Sequence, residues 1–251
     1  FGGSLGANGL YTTPGSYGGR AVFDVFLDSL QGSCGVDLIL RMDVDDTATS
    51  GIFAAADAAG VAVDPSCAST LLYPPDGAIV PRNFSPIDVQ WTPGAAGPVH
   101  LVELINEYAV LRSVTTAASR MPSMERWRAL TDSWSGDSLA VRVLSGTYDP
   151  GLGTFTGPLC ASATAQLTLS QSGLDGTVFY WAASLAGIYR LDVGALTPTP
   201  WADTNSTGWC VGCHTTNLAN PRRVAMVYGG GDGWAVVSDV DGSIGDVMAA
   251  E

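Results

Sequence analysis

The run Ala163-Thr164-Ala165-Gln166-Leu167-Thr168-Leu169 alternates apolar and polar residues without a break, and a chain made of such runs buries one face by forming β-sheet. Ile87, Val89 and Trp91 alternate with Asp88 and Gln90 in the same way, and Val36, Leu38, Leu40 and Met42 share a face opposite Asp37 and Arg41. Strand-like segments also cover 21–27, 99–105, 108–114, 139–144, 178–181, 188–193, 223–228 and 234–238. Turn clusters separate them, among them Gln31-Gly32-Ser33-Cys34-Gly35 and Tyr73-Pro74-Pro75-Asp76-Gly77. Short strands at this spacing predict a mainly β chain with a β-sandwich at its centre. One short helix interrupts the series: Pro122 suits a first helical position, and Met124, Trp127 and Leu130 recur every three residues to form a stripe over the sheet. The Ala-rich segment 52–63 fits a short helix or a buried strand equally well.

Charge narrows the partners. The 251 residues carry a net charge of −13, and all eleven basic residues are Arg, so nucleic acid and anionic membrane surfaces are poor partners. No run of about 18 uncharged apolar residues exists, so no transmembrane helix is expected. The first twenty residues are rich in Gly, Ser and Thr and read as an arm or an irregular edge strand, which could pair with another subunit and make the protein a homo-oligomer.

The chemistry concentrates at Cys210-Val211-Gly212-Cys213-His214, a C-x-x-C-H run. At this spacing two thiols can each add to a vinyl group of one haem while the adjacent imidazole reaches the iron. The expected cofactor is therefore a single covalent haem c, with Cys210 and Cys213 as thioethers and His214 as proximal ligand. A redox dithiol needs no His at that place; zinc needs four ligands, and a remote thiol such as Cys160 would have to complete the set. Met226 and His100 are the candidates for the sixth iron ligand, Met226 slightly ahead because it needs no interdomain geometry; Met248 lies too near the end of the sequence to be held firmly. Of the remaining cysteines, the favoured pair is Cys34 with Cys67, since both lie in turn clusters of one N-terminal segment. Asp43, Asp45 and Asp46, and Asp239, Asp241 and Asp246, form two acidic clusters that read as solvated turn carboxylates rather than Ca²⁺ cages.

Several segments together resemble a family of secreted proteins of high-GC Gram-negative bacteria. They are LLYPPDGAIVPRNFSPIDVQWTPG, PSMERWRAL, GTVFYWAAS followed by GIYRLDVG, and CVGCHTTNLANPRRVAM. That family joins an Ig-like unit, a single C-x-x-C-H site and a WD-like β-propeller. The resemblance covers residues 71 to about 238 and implies Cys210, Cys213 and His214 as haem-binding residues. The sequence departs from the family at Asn217-Leu218-Ala219-Asn220, where members carry Ser-Arg-Asp-Gly, and holds strands equivalent to part of one blade only. Three domains are expected: an N-terminal β-rich unit with the Gly-rich arm (1–70), an Ig-like β-sandwich (71–170) and a haem c-binding β segment (171–251).

The expected function is one-electron transfer by an extracytoplasmic monohaem c-type cytochrome, a carrier rather than an enzyme. Haem attachment takes place outside the cytoplasm, and Phe1 is not an initiator Met, so a periplasmic, cell-surface or extracellular location is expected. The acidic surface suits a basic redox partner protein. The alternative is a structural or adhesive surface subunit that assembles through the arm, with haem as relay or stabiliser; a peroxidase would require an open iron position.

Overall fold

The alternating runs become strands, and the chain divides into two compact units, Phe1–Gly173 and Leu174–Glu251. The structure is a computed structural model and describes residues 4–6, 10–12, 17–133, 138–170, 172–203, 205, 208, 210–216, 223–228, 233–238 and 244–249. It is mainly β, with several sheets and two helices.

The first unit opens with β1 (Ser4–Leu5), β2 (Tyr11–Thr12), β3 (Gly19–Leu27), β4 (Leu30–Leu38) and β5 (Leu40–Asp45). Helix α1 (Ile52–Ala59) is followed by β6 (Val61–Ala62), β7 (Thr70–Tyr73), β8 (Ile79–Pro81), β9 (Val89–Thr92), β10 (Val99–Ile105), β11 (Ala109–Thr115) and β12 (Ser119–Arg120). Helix α2 (Met124–Asp132) precedes β13 (Ser138–Gly146), β14 (Tyr148–Asp149), β15 (Thr154–Phe155), β16 (Leu159–Ala161) and β17 (Ala165–Ser170).

An eight-stranded sheet runs β5-β11-β10-β13-β16-β6, with β17 paired to β13 and β8 to β17. Strand β13 is long enough to share one edge between β17, at Ser138–Val141, and β16, at Leu144 and Ser145. Alternation gives the sheet two different faces. Val102, Leu104, Leu111, Val141 and Val143 pack against Val89 and Trp91 of the three-stranded sheet β12-β9-β7 and against Trp127 and Leu130 of α2. On the opposite face Leu101, Val114 and Leu144 pack with Ile52, Ala55 and Ala56 of α1 and with Phe155. The Trp127–Leu130 stripe covers the sheet as its spacing implied, but Pro122 precedes the helix. Ser123 is the N-cap, its hydroxyl accepting the Arg126 N–H at 3.3 Å.

Residues 1–70 do not stand apart as expected. β5 lies parallel to β11 and β6 parallel to β16, so the N-terminal segment supplies two strands of the main sheet. The expected hairpin of 21–27 with 36–42 is also redrawn. The turn falls at Asp28 and Ser29, Asp28 holding a φ of 53°, and the Gln31–Gly35 cluster lies within β4, paired to β3. The favoured Cys34–Cys67 pair is overturned: Cys67 is bridged to Cys160, while Cys34 is a free, exposed thiol. The β6–β16 pairing sets Cys160 opposite Ala62 and so beside the segment that carries Cys67, a long-range placement that loop composition cannot reveal. At the foot of the arm, Gly18 N–H donates to Ser133 Oγ at 2.7 Å; a Cβ at Gly18 would fall 1.8 Å from the Tyr108 carbonyl oxygen, so only glycine fits there.

The second unit contains β18 (Thr177–Ala182), β19 (Gly187–Asp192), β20 (Thr199–Ala202), β21 (Val211–Thr216), β22 (Arg223–Tyr228), β23 (Gly233–Ser238) and β24 (Ile244–Ala249). They form two antiparallel meanders, β18-β19-β20 and β21-β22-β23-β24. Among the described residues, Ile188, Ala202, Val211 and Met226 form a buried cluster in it, with Phe179 and Trp201 packed against them.

Candidate functional site

Cys210 precedes β21, and Cys213 and His214 lie on it. Pairing with β22 is regular except for one extra residue: Gly212 is opposite Val227 and His214 is opposite Met226, which leaves Cys213 as a β-bulge with φ 22°. The bulge sets where the side chains go. Val211 and His214 are three apart and would face opposite sides of a regular strand; the inserted residue puts both on the Met226 side. Cys213 is left exposed in a backbone conformation that non-glycine residues seldom adopt.

Cys210 and Cys213 are both exposed and unbridged, in contrast to the bridged Cys67 and Cys160. His214 is half-buried, and its Nε2 lies 3.1 Å from the Phe179 carbonyl oxygen, to which it donates in the neutral tautomer protonated at Nε2. Aromatic rings surround the motif: Phe179 meets Trp201 edge to face at 4.8 Å, and the Trp181 indole lies 3.9 Å from where a Cβ on Gly212 would sit. Sequence reasoning did not assign Phe179 or Trp181 to the site. The aromatic run Val178-Phe179-Tyr180-Trp181 was visible, but its position beside the motif depends on packing within the unit.

The attachment residues fit a covalently held haem. Two reduced, accessible thiols flank Val211 and Gly212, the imidazole is next in sequence, and aromatic surface is at hand. Ligation by His214 would replace its hydrogen bond to Phe179, worth about 1 kcal/mol net. That is a small obstacle.

Met226 fits the distal position poorly. It is buried at 2% exposure among Ile188, Ala202 and Val211. It is also directly opposite His214, and side chains so paired leave a sheet side by side with Cβ atoms about 5 Å apart. Buried there beside His214, Met226 is a core residue of this unit. His100 belongs to the first unit, where it is 2% exposed. Its Nδ1 is 2.8 Å from Ser145 Oγ, its ring meets Trp91 edge to face, and burial pushes its pKa below the usual imidazole value. The structure thus brings Cys210, Cys213, His214 and Met226 into one unit and leaves His100 in the core of the other. For Met248, only the backbone of β24 is described.

Among the described residues, no three His, Cys, Asp or Glu side chains converge as a metal cage. The first acidic cluster is engaged internally. Asp43 accepts from Arg112, Asp45 accepts from the N–H groups of Thr47 and Thr49, and Asp46 pairs with Arg120. Asp239 and Asp241 lie outside the described residues, and only the backbone of Asp246 is described. Comparison with known proteins returned no matching family model, no matching curated protein and no matching solved structure.

Proposed function

We infer that this chain is an exported monohaem c-type cytochrome that transfers single electrons, its haem held through Cys210 and Cys213 with His214 as proximal ligand. The observation that carries the reading is the pair of exposed, unbridged thiols of a C-x-x-C-H run in a chain where Cys67 and Cys160 are bridged. Against zinc, no three His, Cys, Asp or Glu side chains converge among the described residues, and Cys210 immediately before β21 and Cys213 on it belong to a strand rather than to the start of a helix, which speaks against a thioredoxin-like dithiol. When bound, haem supplies the iron redox couple. The chain's own residues then have separate tasks. Cys210 and Cys213 anchor, His214 orients, and Trp181 and Phe179 contribute apolar surface that limits water. The excess of carboxylates suits brief contact with a basic redox partner.

The test is expression in a periplasm with haem-attachment machinery, followed by denaturing electrophoresis and haem staining. The wild-type band should stain, and the Cys210→Ala/Cys213→Ala double variant should not. An unstained wild-type band, or undiminished stain in the double variant, refutes the assignment.

A further inference from the structure

The first unit carries a groove along an outer sheet edge whose first part holds more arginines than carboxylates in an acidic chain. Among the described residues β5 is the outermost strand of the eight-stranded sheet and pairs with β11 alone. Leu40 N–H donates to Tyr108 O at 2.9 Å and Asp46 N–H to Val114 O at 3.2 Å, so even-numbered residues spend their backbone groups on β11. These groups alternate along a strand, which turns those of Arg41, Asp43 and Asp45 to the outer edge. Helix α2 stands along that edge.

Between strand and helix lie two adjoining clefts of about 760 Å³ and 290 Å³. The first touches Leu40, Arg41 and Met42, the second Asp43, Val44 and Asp45, and Arg126 lines both. The groove therefore follows β5 for its full six residues, roughly 20 Å at about 3.3 Å per residue. Its first part has an apolar floor at Leu40, Met42 and Met124, and a cationic rim at Arg41, Arg126 and Arg128.

Among the described residues these three guanidiniums make no ion pair, whereas Arg20, Arg112, Arg120, Arg142 and Arg190 are all paired. Glu125 and Asp132 line the same cleft and leave it one positive charge in excess, in a chain of net charge −13. The carboxylates of Asp43, Asp45 and Asp46 are already held by Arg112, by the Thr47–Thr49 turn and by Arg120. Unspent backbone groups, an extended groove and unpaired cations select one occupant.

We propose that this groove binds an extended acidic peptide segment, which adds as a strand to β5 and sets carboxylates against Arg126 and Arg128 on the Met42 side of the sheet. Backbone pairing supplies affinity, and the arginines select sign. The assignment rests on the first unit and is independent of the haem reading.

A fluorescein-labelled octapeptide of alternating Glu and Val, titrated into the full chain at low salt and followed by anisotropy, provides the test. Saturable binding is expected, lost when Lys replaces Glu and weakened about tenfold or more in Arg126→Ala/Arg128→Ala, whose exposed positions leave the circular dichroism spectrum unchanged. N-methylation of one alternate set of peptide amides should abolish binding and that of the other set should not, because only one set faces β5. Absence of saturation, equal binding of the Lys peptide, or indifference to both N-methylated sets overturns the proposal, the last by reducing the groove to a surface that merely attracts anions.

Discussion

Arg112 and His100 are both buried in the first unit, and their surroundings treat charge in opposite ways. Arg112 donates to Asp43 at 2.7 Å and Asp57 at 2.6 Å and lies over the Phe53 ring, so its charge is matched where it is buried, and the hydrogen bond it donates to Asp43 above all raises its pKa. His100 has a hydroxyl and an indole for neighbours, and its burial lowers its pKa. The consequence is a pH dependence with a defined sign. The folded pKa is below the unfolded value of 6.5, so the unfolded chain takes up the proton first, and stability is lost as pH falls below about 6.5. Urea midpoints measured between about pH 7.5 and pH 5 should fall, and fall less in His100→Gln, which cannot take up the proton. Equal slopes for the two proteins would mean that His100 is not the group responsible.

Among the elements, α2 shows most directly how a sequence pattern becomes packing. Trp127 and Leu130 are fully buried against the main sheet, and the helix begins on the Ser123 cap. Ser123→Ala should cost about 1 kcal/mol and Trp127→Ala about 3–5 kcal/mol by urea denaturation, since one removes a single hydrogen bond and the other opens a cavity. A Trp127→Ala cost as small as that of Ser123→Ala would mean the helix is not seated on the sheet.

The elements legible in the sequence are those whose periodicity is decided locally. The segment 99–105 is β10 to the residue, because both its faces are buried and only His100 and Glu103 interrupt its apolar run. The hairpin β3–β4 was misplaced because its register depends on the Asp28–Ser29 turn, while the more turn-like Gln31–Gly35 cluster is absorbed into an exposed strand that needs no apolar pattern. The site divides in the same way. Cys210, Cys213 and His214 are written in consecutive chain, but the bulge at Cys213 and the hydrogen bond from His214 to Phe179 arise from pairing between segments. The arginine-lined groove beside β5 went unread for the same reason: Arg41 and Arg126 are far apart in sequence and meet only through the sheet.

At the scale of the whole molecule, the first unit is closed by contacts between distant parts of the chain. The parallel β5–β11 and β6–β16 pairings draw the N-terminal segment into the sheet, and the bridge from Cys67 to Cys160 spans 93 residues beside the second of them. Closing a loop of that length removes enough entropy from the unfolded chain to contribute about 4–5 kcal/mol on the chain-entropy model. The second unit has its own core at Ile188, Ala202, Val211 and Met226, and no bridge. Reduction should therefore act on one unit and leave the other. In differential scanning calorimetry of the full chain, a non-thiol reductant should shift the transition of the first unit down by roughly 10 °C or more while that of the second stays in place. Cys67→Ser/Cys160→Ser should reproduce the shift without reductant and respond no further to it. Because Cys34, Cys210 and Cys213 remain in that variant, any further effect of reductant on it would have to come from them, and a shift in both transitions would show that the two units unfold as one.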